Sequence, residues 1–213
     1  MGPKFTRNQC VEACKGHREK PIWEILDDPH AKAVELLKAG EVIGWFRGRM
    51  EFGARALGNR SILADPSQPG IAQRINKLVK FRESWRPFSA SLLESAADDY
   101  IDRGKLNSHD EAMALSVKTT AKFREVYPDV VHVDGTARLQ VVRDDNNADF
   151  HSLLSQFADA TGQRLLINTA LNRPGEALVC TPEDAINAFH GTDLNYLVLG
   201  DLLVSKREEV DDW

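Results

Sequence analysis

A chain of 213 residues that is 42% hydrophobic and 28% charged has an ordinary globular composition, with apolar residues enough for a substantial core. Its apolar runs, such as Val42 to Phe46 and Leu202 to Val204, fall far short of the roughly 18 residues that cross a bilayer. No apolar stretch follows the basic residues of the first ten positions. Membrane-spanning and secretory readings are therefore set aside, and the cytoplasm is the expected location. The net charge of −5 is unevenly spread: Arg47 to Arg86 holds nine basic and three acidic residues, a local +6 against −11 for the remainder. A cationic block inside an acidic chain suits a small phosphorylated ligand better than a long nucleic acid.

In chain order, Asp28-Pro29 followed by Ala33, Val34, Leu36, Leu37 and then Gly40 predicts a capped helix. Val42 to Phe46 reads as a strand. Ile71, Ile75, Leu78 and Val79 predict a helix with Arg74, Lys77 and Lys80 on another side. Phe88 to Leu93 and Met113 to Val117 read as strands, and Val130–Val133 with Ala137–Val142 as a hairpin turning at Asp134-Gly135. Phe150, Leu153, Leu154, Phe157 and Ala158 make an amphipathic helix ending at Gly162. Arg164 to Ile167 is a short buried strand, Thr181-Pro182-Glu183-Asp184 a helix start, and Tyr196–Leu199 and Leu202–Ser205 two closing strands. Strands and helices intermix without a regular period, which favours one mixed sheet with packed helices. Residues 1–213 are expected to form one domain, with 1–27 as a junction or extension and 208–213 as a disordered tail.

Three cysteines, Cys10, Cys14 and Cys180, argue for a reducing compartment. Cys10 and Cys14 can share a helix face, but only His17 is near, so no metal site is expected. From Gly53 the chain reads G-A-R-A-L-G-N-R-S, with the two glycines of a P-loop but Asn59-Arg60 where lysine should follow. A P-loop is rejected on that division of labour, leaving an arginine-bearing glycine loop. Lys80-Phe81-Arg82 with Arg86, and Asp134-Gly135-Thr136-Ala137-Arg138, are further candidate clusters, each with a bland alternative as a surface stretch or a turn. The polar run from Asn168 to Glu176, containing Asn172 and Arg173, follows an apolar strand, where ligand loops concentrate.

The blocks GWFRGRMEFGARALGNRSILADP, INKLVKFRESWRPFSAS, HVDGTARLQ and INTALNRPGEALVCTPEDA resemble, in this order, the C-terminal domain of the NodU-type O-carbamoyltransferases. The resemblance runs from Gly2-Pro3 to about Lys206. It implies a YrdC-like α/β fold, a twisted mixed sheet with packed helices. It also implies an activity: carbamoyl phosphate and ATP, with Mg2+, give a carbamoyl-adenylate. A partner N-terminal domain of the actin-like ATPase superfold, not contained in this chain, then carbamoylates an acceptor hydroxyl. The resemblance gives catalytic roles to Lys80, Arg82 and Arg86, and ATP or carbamoyl phosphate contacts to Arg55, Arg60, Arg138, Asn168, Asn172 and Arg173. Asp134 and Glu51 are candidate magnesium partners. Two positions depart from the family pattern: Ala54 stands where proline is usual, and Ala170 where a serine precedes Phe-Asn. Ala170 motivates the alternative of a non-catalytic YrdC-like nucleotide or RNA binder. A homodimeric, purely structural role would leave the basic block unexplained.

Overall fold

The computed structural model describes residues 1–83, 85–102 and 111–206. Ten strands run in chain order: β1 (Ile22–Ile25), β2 (Ile43–Phe46), β3 (Arg60–Ala64), β4 (Ala90–Leu93), β5 (Val117–Lys118), β6 (Thr136–Ala137), β7 (Leu139–Val142), β8 (Leu165–Ala170), β9 (Tyr196–Leu199) and β10 (Leu202–Ser205). Eight of them form one sheet in the order β1-β10-β9-β2-β3-β8-β4-β7, while β5 and β6 pair separately. The large sheet is mostly antiparallel, with β2–β9 and β4–β7 parallel.

Helices cover both faces, which is why the inner strands read as unbroken apolar runs rather than as alternation. On one face Ile62, Ala64, Leu165, Ile167, Leu197 and Leu199 pack with residues of α1 (Arg7–Gly16), α3 (Ile71–Ile75), α4 (Ala97–Tyr100), α5 (Ala121–Val126) and α7 (Pro182–His190). On the other, Ile43, Trp45, Leu63, Leu166 and Val198 pack with α2 (Pro29–Lys38) and α6 (Asp144–Thr161). The expected caps are present: Asp28 accepts the N–H groups of His30 and Ala31, Thr181 and Asp184 form a capping box, and Gly162 closes α6 in the left-handed region. Cys10 and Cys14 do share the buried face of α1. Burial raises both thiols, to about 11 and about 12.

Several expectations change. The helix expected from Ile71 stops as α helix at Ile75 and continues as a π turn over Asn76–Lys80, closed by Phe81 at φ 46°. Met113 lies in the left-handed region at φ 52°, so the strand expected from Met113 shrinks to Val117–Lys118. The Asp134-Gly135 turn forms, with Gly135 N–H donating to the His132 carbonyl and His132 N–H to the Thr136 carbonyl, but no strand pairing continues from it between the two flanks. Thr136–Ala137 joins β5, and β7 runs parallel to β4. The tail from 208 to 213 lies outside the described residues. Among the described residues, no helix is long and apolar enough to cross a membrane.

One ionic cluster ties the loop after β2 to the rest. Arg47 donates from Nε and Nη2 to the two Asp149 oxygens at 3.1 and 3.0 Å, and from Nη1 to Asp201 at 3.0 Å. His30 Nε2 lies 3.2 Å from Asp149 Oδ1. Burial alone would raise the Asp149 carboxyl; the bonds from His30 and Arg47 outweigh it and hold the group well below the usual carboxylate range. Its stabilisation is therefore complete above the unfolded value near pH 4 and is lost as pH falls below it. Asp149→Ala leaves Arg47 paired with Asp201 alone and removes two charge-assisted bonds, and the expected loss is about 2 kcal/mol in urea denaturation at pH 7, shrinking toward acid pH.

Candidate functional site

The strand registers gather the cationic blocks at one end of the sheet. Phe46 pairs with Arg60 and Ser61 with Ala170, Ile167 with Ala90, and Ala90 with Leu139. The loop before β3, the segment leading into β4, the turn before β7 and the end of β8 therefore open at the same edge. Arg55, Lys80, Arg82, Arg86, Arg138 and Asn172 sit on these four segments.

Lys80 is the centre of the group. Its Nζ donates to the Ala170 carbonyl at 2.6 Å and to Asn172 Oδ1 at 2.8 Å, and among the described residues it forms no salt bridge. Burial, and then the nearby Arg82 charge, lower its pKa to about 8. Arg82 lies over the Phe88 ring with its carbon 4.2 Å from the centroid, and its Nε is buried without a partner. Its pKa is lowered by burial and by Arg86. Arg86 reaches Glu83 only at 3.8 Å, half exposed. Arg55 is exposed, and its pKa is lowered by partial burial and by Arg138, whose own Nε is buried without a partner. The cations thus repel one another and keep unspent donors, the electrostatics of a site built for an anion.

The loop carrying Arg55 is held by a carboxylate. Glu51 Oε1 accepts the backbone N–H groups of Leu57 at 2.6 Å and of Asn59 and Arg60 at 3.3 Å, while Gly58 N–H donates to Ser61 Oγ at 3.0 Å. These are the donors that a P-loop turns toward phosphate. Here they close on the protein's own side chains, Glu51 and Ser61, and the free positive charge of this end is carried by arginine and lysine.

Residues 34–206 match the family model described as Carbamoyltransferase C-terminus. The chain belongs to that family. Over its whole length it is 40% identical to nodulation protein NolNO of Sinorhizobium fredii and 39% identical to nodulation protein NolO of Bradyrhizobium diazoefficiens. Over 84% of its length it is 35% identical to 3'-hydroxymethylcephem-O-carbamoyltransferase of Streptomyces clavuligerus. It spans 32%, 39% and 33% of these relatives, about a third of each. Of solved structures, HypF from T. kodakarensis matches with a TM-score of 0.58 at 16% identity, over 85% of this chain and 21% of that one, which is a likeness of fold. The YrdC-like mixed α/β architecture expected from the sequence is the fold of this carbamoyltransferase C-terminal domain.

Within the domain, three expected site residues are placed apart from the open cations. Arg60 is 0% exposed. Its guanidinium stacks on Phe46 at 3.7 Å and donates to the carbonyls of Arg47 at 3.0 Å and Asn59 at 2.8 Å, acting as a strut under the loop. Asn168 is buried within the sheet, donating to Ser91 Oγ at 2.8 Å and more weakly to Gln140. Arg173 forms an exposed two-pronged pair with Glu176 and faces a separate cleft shared with His17 and Cys180. Asn172 lies beside Lys80, accepting from its Nζ and donating to the Glu176 carbonyl.

The departure at Ala170 leaves the lysine contact intact, because Lys80 uses the backbone carbonyl there. Both candidate magnesium partners use one oxygen within the protein. Asp134 is occupied by the Thr136 N–H and hydroxyl, and Glu51 Oε1 by three N–H groups. Among the described residues no three His, Cys, Asp or Glu side chains come together as a metal site. The sequence reading missed the Glu51 nest, whose donors six to nine residues downstream follow no short-range motif.

Proposed function

We propose that this domain binds ATP and carbamoyl phosphate and forms a carbamoyl-adenylate, which a partner domain uses to carbamoylate a hydroxyl. The observation that carries the reading is the convergence of Arg55, Lys80, Arg82, Arg86 and Arg138 on one sheet edge, with the Lys80 ammonium desolvated and two arginine Nε atoms unspent. Membership of the carbamoyltransferase family supports the reaction class, and the acceptor step belongs to the part of such proteins beyond this chain.

The chemistry sets a demand that these residues suit. Carbamoyl phosphate yields carbamate and inorganic phosphate on hydrolysis. A carbamate oxygen then attacks the ATP α-phosphorus, the C–O–P bond to AMP forms, the α–β bond breaks and pyrophosphate leaves. Two anions must approach in line, so fixed cations that offset their repulsion lower the barrier most. In this reading Lys80 and Arg82 face the α-phosphate, Arg86 the leaving pyrophosphate, and Arg55 with Arg138 the carbamoyl phosphate. Magnesium enters in this reading as the counter-ion of the nucleotide phosphates.

Mixing the chain with carbamoyl phosphate, ATP and magnesium is expected to release pyrophosphate, and Arg55→Ala to cut the rate about 10-fold to 100-fold without changing the melting temperature. No release from a folded chain joined to its partner domain refutes the reading. The RNA-binding alternative has its own signature, an affinity that falls steeply with salt.

A further inference from the structure

We infer that Glu51 discriminates among substrates by accepting, at its second carboxyl oxygen, a hydrogen bond from a planar amino group on the ligand. This rests on the function proposed above and extends it to specificity. Glu51 is 4% exposed and lines a cavity of about 220 Å3 together with Met1, Leu57, Asn59, Glu111, Gln140 and Asn147. Oε1 is saturated by the three loop N–H groups, whereas Oε2 is buried with no partner among the described residues. A carboxylate oxygen only accepts, and leaving it unmatched in a buried place is costly, so the cavity calls for a donor.

The surrounding carboxamides narrow the class of donor. Gln140 accepts from Ser91 and Asn168 and donates one N–H to the Leu57 carbonyl. Asn147 is fixed between Asn59 and Phe150 N–H. Among the described residues no lysine or arginine lines the cavity and no three His, Cys, Asp or Glu side chains come together there, which leaves the donor to a ligand. A flat, neutral N–H2 fits such walls. Arg55 and Arg138 stand two residues outside Leu57 and Gln140, so a ligand seated by its amino group presents an anionic tail to them. Two sources share this chemistry: the carbamoyl –NH2 of carbamoyl phosphate and the 6-amino group of ATP.

Calorimetric titration of the chain with two isosteric pairs separates them. Acetyl phosphate replaces the carbamoyl amino group by methyl, and inosine triphosphate replaces the adenine amino group by a carbonyl. At least a tenfold preference is expected within one pair, and that pair names the source. Glu51→Gln keeps an acceptor for the loop N–H groups but puts a donor where Oε2 stands; it is expected to abolish the preference while the melting temperature moves by only a few degrees. If that variant does not fold, the wild-type chain carrying 13C-carboxyl glutamate decides: the Glu51 signal should shift with the amino ligand and not with its isostere. Equal binding within both pairs, a preference that survives Glu51→Gln, or an unmoved Glu51 signal overturns the inference alone. No binding by any of the four anions overturns the proposed function with it.

Discussion

Replacing Lys80 by methionine is expected to lower pyrophosphate release by about 10²-fold to 10³-fold, the scale of losing one preorganised donor to a developing charge. Methionine keeps the length and removes the ammonium. The fold should tolerate it, because burying that charge is already unfavourable, as its pKa of about 8 records. The same value fixes a pH signature. The folded value lies below the ordinary lysine value of 10.5, so from about pH 8 to 10.5 the unfolded chain holds more protons. The burial cost is complete below pH 8 and is relieved as pH rises through that window. Ligand binding runs the other way: anion affinity is highest while Lys80 is protonated and falls as pH passes about 8. Calorimetry of ATP binding at pH 7 and pH 9 should show the decline in the wild-type chain and none in Lys80→Met. An undiminished rate, or an identical pH profile in the two proteins, removes Lys80 from the site.

The second large effect is structural. Gly58 adopts φ +96°, and an added Cβ would stand 2.1, 2.4 and 2.6 Å from the Phe150 ring atoms Cδ1, Cγ and Cε1. Phe150 is fully buried in the core under α6 and cannot swing aside, so Gly58→Ala combines backbone strain with overpacking. The expected loss is about 4 kcal/mol in urea denaturation. Pairing it with Phe150→Leu should recover part of that, since the collision eases while the unfavourable φ stays. A loss under about 1 kcal/mol would mean that the loop relaxes freely. Because Gly58 sits between the N–H groups held by Glu51, and its carbonyl accepts from Trp45 Nε1 at 3.1 Å, the variant should also displace Arg55 and weaken anion binding.

What the sequence made legible follows from range. Caps at Asp28, Thr181 and Gly162 are short-range devices and were readable, as were the apolar strands Val42–Phe46 and Tyr196–Leu199. Arg60–Ala64 was not recognised as a strand, because an arginine-serine start with no alternation hides a segment buried on both faces. Lys80 and Asn172 stand 92 positions apart, and the family resemblance, not spacing, brought them together. The resemblance put Arg60 among the ligand contacts, and nothing local in the sequence foretells that its guanidinium is buried and donates to the carbonyls of Arg47 and Asn59. The turn at Asp134-Gly135 was readable, whereas the partners of its flanking segments were fixed by distant strands.

The π turn over Asn76–Lys80 also speaks to how such a site could arise. An α helix that gains one residue without losing its ends bulges into this geometry, and each residue of helix turns the chain by about 100°. The amide of Phe81 still finds a carbonyl, that of Asn76, five positions back. The side chain that reaches the end of β8 therefore owes its direction to a surplus of one residue. A single inserted codon would be enough to turn a lysine from the flank of a helix toward the end of β8, and a single deletion would turn it away while leaving composition, charge and hydrophobic pattern almost unchanged.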